Sequence, residues 1–187
     1  MEITKTLYVS TRSQWRAWLR KHHKSSREIW LIYYKKGSGK PRISYGDAVE
    51  EALCFGWIDS IAKPIDHRKY AQRFTPRKRK SPWSPANKER ARRLIRAKKM
   101  TSAGLQAFKS AVSGISSSGQ FKIPPDILAA LKSNALAWQH FRAFSNPYRR
   151  VRIGWIDGSR KRPEVFRQRL GYFLRMTEQG KKFGMVR

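Results

Sequence analysis

The stretch VEEALCFGWIDS, Val49 to Ser60, changes its period in the middle, and that change decides how the chain is read. Up to Cys54 the apolar positions keep helical spacing, with Ala48, Val49, Ala52 and Leu53 on one side and Gly56 as the stop. Residues 57–63 and YAQRFT (70–75) have strand composition and alternation, and the turn-like PIDHRK between them makes a hairpin. Upstream, Ser44 and Asp47 form the capping pair that opens the helix. IWLIYY (29–34) is too short and aromatic for a helix and suits a strand covered on both faces, followed by the loop KKGSGKP. Further out, Thr11 with Gln14 makes a capping box, and Trp15, Trp18, Leu19 and His22 then share one helical face. The order is strand, helix, strand, helix, hairpin, a small mixed α/β unit.

Downstream the pattern is helical. Ser84 as N-cap with Pro85 at the first helical position starts a basic helix to about Lys99, and Thr101 caps another that carries Leu105, Phe108 and Val112. The Gly/Ser-rich SAVSGISSSGQ and then Pro124-Pro125 interrupt it. Beyond them, Ile127, Leu128 and Leu131, then Ala135, Trp138, Phe141 and Phe144, then Val165, Phe166, Leu170, Phe173 and Leu174 keep helical spacing. The expected fold is α+β: an N-terminal domain over 1–112 with an antiparallel hairpin and the basic helix 85–99, a linker at 113–124, and a small helical domain over 125–187.

A chain of 187 residues and 21.9 kDa, 40% hydrophobic and with seven tryptophans, has the apolar content for a real core, which rules out global disorder. Its charge is the abnormal quantity. With 42 Lys plus Arg against 12 Asp plus Glu the net charge is +30, and self-repulsion on that scale calls for an anionic partner. From Arg12 to Arg42 there are ten basic residues and one acid, from Arg68 to Lys99 fourteen and one, and from Arg142 to Arg169 nine and two. The longest apolar run, Ile29 to Tyr34, is six residues, and MEITKTLYVS lacks the basic-then-apolar order of a cleavable signal. One cysteine, Cys54, and four scattered histidines offer neither a disulfide nor metal-ligand spacing. The expectation is a reduced, cytoplasmic protein without metal or cofactor.

Three blocks carry a family resemblance. VEEALCFGWIDS, RFTPRKRKSPWSPANKERARRLI (Arg73 to Ile95) and MTSAGL (Met100 to Leu105) resemble the core of the YdeI/OmpD-associated, or bacteriocin-protection, family. WIDGSRKRPEVFRQRL (Trp155 to Leu170) is similar to a pattern in the same family's tail, with Val165 where threonine and Ser159 where alanine is usual. The resemblance implies resistance to bacteriocins and cationic peptides, an envelope connection and no established reaction. A protein of charge +30 repels cationic peptides, so it does not protect by sequestering them.

Two groups of residues are candidate sites. In the first, Trp57 supplies an apolar wall and Asp59 a carboxylate faced by Arg73 and Arg77, with Trp83, Asn87 and Arg90 completing a ligand-binding set; alternatively Trp57 is core and Asp59 an ion-pair partner. The second is the basic run, with Arg77, Lys78, Arg79, Lys80, Lys88, Arg92, Arg93 and Arg96 to neutralise phosphates and Trp83 to stack a base. No sequence-reading signature accompanies that charge, so DNA or RNA bound with little sequence preference is the expected partner, and an anionic membrane surface the alternative. The acids Asp47, Glu50 and Glu51 read as a helix face that neutralises nearby arginines rather than a catalytic pair, and Cys54 as inert packing. The reading is of a non-catalytic anion-binding protein, with an enzyme or small-ligand site at Trp57, Asp59 and Arg73 as its rival.

Overall fold

A computed structural model describes residues 2–78, 81–112 and 121–184, so most of the expected linker, and Arg79 and Lys80 of the basic run, lie outside the described residues. The architecture is α+β. The elements are β1 (Thr6–Tyr8), α1 (Arg12–His22), β2 (Ile29–Tyr34), α2 (Tyr45–Cys54), β3 (Trp57–Pro64), β4 (Lys69–Pro76), α3 (Pro85–Arg96), α4 (Ser102–Val112), α5 (Pro125–Lys132), α6 (Ala135–Ala143), α7 (Asn146–Asp157) and α8 (Pro163–Glu178). The chain divides into two compact units, Met1–Pro82 with Arg90–Ser113, and Trp83–Glu89 with Gly114–Arg187.

In the first unit the sheet runs β1-β2-β4-β3, with β1 parallel to β2 and β4 antiparallel to both β2 and β3. The local signals act as expected. Thr11 takes the Gln14 N–H while the Gln14 side chain bonds back to the Thr11 N–H, and Ser44 caps α2 through Asp47 N–H. Tryptophans set the core: Trp15 stacks on Trp18 and tilts against Phe74, and its Nε1 donates to the Ala48 carbonyl at 3.0 Å. A buried indole needs such a partner, since an unmet N–H there costs about 1–3 kcal/mol.

Gly56 ends α2 at φ +74, a left-handed conformation that a side chain would strain. Thr101 then ties α4 to the same place, donating its N–H and its hydroxyl to the Cys54 carbonyl at 3.0 and 2.7 Å. Gly104 lets the two helices meet. A Cβ at that position would stand 2.3 Å from the Cys54 oxygen. Burial, with the field of Glu51, pushes the Cys54 thiol up to about 11, as an inert packing residue requires.

In the second unit, Ile127, Leu131, Phe141, Ile153, Ile156 and Phe173 form a core drawn from α5, α6, α7 and α8. Helix α7 has no counterpart in the periodicity read from the sequence. Its buried Tyr148, Val151, Ile153 and Ile156 are interleaved with Arg149, Arg150 and Arg152, and one of those arginines is buried with them. The repeated Gly-Trp-Ile-Asp is coincidental, because Gly56–Asp59 opens a strand whereas Gly154–Asp157 closes a helix. Among the described residues no helix is long and apolar enough to cross a membrane, and no cluster of His, Cys, Asp or Glu could hold a metal.

Replacing Gly104 by alanine is expected to cost about 1–3 kcal/mol, because the atoms it meets are backbone and cannot rotate away. A urea titration reads this as a lowered midpoint. An unchanged midpoint contradicts the close approach of α2 and α4.

Candidate functional site

Arg12 and Arg16 stand one turn apart on α1, and Asp47 and Glu51 one turn apart on α2, so two helices packed side by side bring opposite charges into register. Glu51 is only 2% exposed, and both its oxygens are taken: Arg12 Nε donates to Oε1 at 2.5 Å and Arg16 Nη1 to Oε2 at 2.6 Å. The remaining Arg12 nitrogens reach Asp47 at 2.9 Å and Glu50 at 3.2 Å, and Glu50 also pairs with Arg93 from α3. Burial alone would lower the Arg12 pKa, but the bond to Glu51 and the fields of Glu51, Glu50 and Asp47 outweigh it and raise it. The acidic face of α2 thus neutralises arginines.

Above this network lies a cleft of about 580 Å³ lined by Thr11, Arg12, Ser13, Arg16, Glu51, Lys98 and Lys99. Its far wall is the turn after α3. The helix ends at Arg96, short of the expected Lys99, because Lys98 N–H turns back to Ile95 O and Lys99 N–H to Leu94 O. Lys98 holds φ +54 there, among the described residues the one non-glycine with positive φ, at a place where glycine is the unstrained choice. Arg16 pins the turn by donating to the Lys99 carbonyl at 2.9 Å. Both lysines are exposed. The guanidinium groups below are spent on carboxylates and on the Lys99 carbonyl, so the donors this cleft can offer an oxyanion are the Lys98 and Lys99 ammonium groups at its rim.

A family model described as a domain of unknown function (DUF8412) matches residues 7–107. The chain belongs to the DUF8412 family. A second model, described as "Bacteriocin-protection, YdeI or OmpD-Associated", matches residues 120–180. No curated protein and no solved structure matches. The YdeI/OmpD-associated likeness is therefore found on the tail that holds WIDGSRKRPEVFRQRL, whereas the three N-terminal blocks expected to carry it fall within the DUF8412 match.

Within the DUF8412 match, the residues of the first candidate group separate. Trp57 is 1% exposed, with its Nε1 donating to the His23 carbonyl and its ring against Trp18. Asp59 accepts the Tyr45 hydroxyl at 2.5 Å, and Arg73, one position past the level of Asp59 on β4, pairs with Glu28 instead. Arg77 donates to the Pro82 carbonyl and Arg90 acts on Tyr45 through its field, so Asp59, Tyr45, Arg77 and Arg90 share one electrostatic neighbourhood. Burial, then the bond to Asp59, raises the Tyr45 phenol. Trp83, Asn87 and Lys88 belong to the second compact unit, and Arg90, Arg92, Arg93 and Arg96 to the first. Trp83 is 7% exposed, so it presents no open face for stacking a base, because a tryptophan beside Pro82 and Pro85 is worth more buried. Lys78 and Arg96 are exposed.

Lys98→Gly is expected to stabilise the protein by about 1 kcal/mol, since it removes the cost of a side chain at positive φ. Thermal unfolding with and without a polyanion checks it: the apo melting temperature rises, and the added stabilisation by heparin shrinks. A lower apo melting temperature means Lys98 is held there for packing.

Proposed function

We propose that the protein is a non-catalytic, cytoplasmic protein of the YdeI/OmpD-associated type, acting in stress or antimicrobial resistance, that binds DNA or RNA with little sequence preference through the cleft of its α+β unit. The cleft carries this reading. Its carboxylates are committed to arginines, and its rim adds Lys98 and Lys99, one of them at a strained position. The same holds more widely: of twelve acids, Glu28, Asp47, Glu50, Glu51, Glu89, Asp126 and Asp157 each lie at ion-pair distance from an arginine, so the excess of 30 positive charges has little acid left to face. Long cations neutralise phosphates and release counterions, which gives affinity without sequence preference. Protection through an anionic cellular partner is consistent with a charge that repels cationic peptides.

Fluorescence titration of labelled single- and double-stranded oligonucleotides at several salt concentrations tests the proposal. A footprint of about 6–10 phosphates loses on the order of 10³–10⁵ in affinity between about 50 and 200 mM salt. Replacing Lys98 and Lys99 together by alanine is expected to flatten the log-log salt slope on duplex DNA by about 2, since every phosphate left without its lysine takes about 0.9 from the slope. Absence of binding at the lowest salt, or a slope that the double replacement leaves unchanged, overturns it.

A further inference from the structure

Strands β1, β2 and β3 end, and β4 begins, at the same end of the sheet, because β1 is parallel to β2 and β4 is antiparallel to both β2 and β3. That end gathers three of the five exposed large hydrophobic residues among the described ones: Tyr8 at 42%, Ile61 at 42% and Ile65 at 39%. Tyr8 closes β1 and Ile65 follows β3, so they stand at opposite corners, three strand spacings or about 14 Å apart. Ser60, Ile61 and Ala62 are exposed in succession, which leaves both faces of the edge strand uncovered.

Cations fill the space between the corners. The loop after β2 carries Lys35, Lys36 and Lys40, the turn after β3 carries Arg68, and all four are exposed. Asp66, the one acid of segments 35–41 and 65–68, is already engaged. Its Oδ1 accepts the N–H groups of Arg68 and Lys69 at 2.7 and 2.9 Å, and its Oδ2 lies 3.7 Å from Lys69 Nζ. Hydrogen bonds fix the two segments to each other. The Lys35 N–H donates to the Arg68 carbonyl at 2.8 Å and Arg68 Nη2 to the Ser38 carbonyl at 3.2 Å, while the Tyr8 hydroxyl holds the Pro41 carbonyl. The outer side of the loop is open, since a Cβ at Gly37 or Gly39 would meet no atom within 4 Å.

Cations without acids suit any polyanion, but the aliphatic side chains beside them narrow the choice. A nucleic acid offers isoleucine an apolar medium only where its bases are unstacked. The headgroup region of a bilayer instead places phosphates against lysine and arginine, and takes tyrosine and aliphatic side chains at the acyl boundary. We infer that this end of the sheet is a peripheral contact for an anionic lipid surface, with Ile65, Ile61 and Tyr8 entering the interface and Lys35, Lys36, Lys40 and Arg68 meeting lipid phosphates. The contact uses none of the residues that line the cleft, so it stands independently of nucleic-acid binding.

The test is co-sedimentation of the full chain with vesicles of phosphatidylcholine alone or of equimolar phosphatidylcholine and phosphatidylglycerol, at an ionic strength of about 0.15 M, where long-range attraction by the net charge is screened. Binding is expected on the anionic vesicles and not on the neutral ones. Ile61→Ser with Ile65→Ser is expected to weaken it about tenfold or more, while the melting temperature and the oligonucleotide titration stay unchanged, because both side chains are exposed. Lys35→Gln with Lys36→Gln is expected to weaken it about fivefold per lysine, whereas replacement of Lys98 and Lys99 by alanine should change it little. A nitrobenzoxadiazole label on Ile65→Cys reports insertion directly, since the other thiol, Cys54, is buried and inert. Its emission is expected to shift to the blue on anionic vesicles, and that of the same label on Lys161→Cys, an exposed position in the helical unit, is not. Equal binding to neutral and anionic vesicles, binding that the double serine replacement leaves unchanged, or no blue shift at position 65 overturns the inference. Loss of oligonucleotide binding in the serine variant overturns it as well, by assigning this end of the sheet to nucleic acid.

Discussion

The buried Glu51 carboxylate is the interaction on which the α+β unit turns. One oxygen holds Arg12 and the other Arg16, so a single side chain on α2 fixes two cations on α1. The cost of burying that charge is offset because both oxygens are paired, and loss of both arginines would leave it uncompensated, a change of about 3–5 kcal/mol. From this pairing follow the register of the two helices, the position of Arg16 against the turn after α3, and the floor of the cleft.

The chain's charge acquires a physical meaning at that point. In a protein of net charge +30 acids are scarce, and those near the cleft are spent on orienting guanidinium groups rather than on lowering the surface potential. Exposed lysines at the rim then face solvent without a matching acidic face. Repulsion among them weakens the isolated fold, and under the proposed function a bound polyanion would relieve it, which would link binding to folding stability. Lys98 expresses the same trade-off at one residue, where backbone strain is tolerated at a position that glycine would hold at lower cost.

How far the sequence discloses this depends on the range of the interaction. Capping is local, so Thr11 with Gln14 and Ser44 with Asp47 mark helix starts that the structure repeats, and IWLIYY is the central strand its aromatic content implies. The acidic face of α2 is equally visible, because Asp47 and Glu51 lie one turn apart, and so is its role of neutralising arginines. Which arginines it neutralises is not visible, because Arg12 and Arg16 lie 39 and 35 residues before Glu51 and only tertiary packing brings them there. Asp59 shows the reverse case. Alternation along β4 turns Arg73 toward Glu28, and the hydroxyl of Tyr45, absent from any charge pattern, takes the carboxylate instead. Helix α7 is hidden because its apolar positions are interrupted by arginines, one of which, Arg152, is buried among rings. The turn at Lys98 leaves no mark either, since a lysine in a basic run does not announce a positive φ.

Phosphates at the rim of the cleft are tested most directly by lysine footprinting. The full chain is treated with a limiting amine-acetylating reagent in the presence and absence of a saturating oligonucleotide, and modification of each lysine is read by mass spectrometry. Lys98 and Lys99 are predicted to be protected more strongly than Lys35 and Lys36 just after β2, which carry the same charge but do not line that cleft. Equal protection at all four positions, or reactivity of Lys98 and Lys99 unchanged by the oligonucleotide, contradicts phosphate binding at the rim.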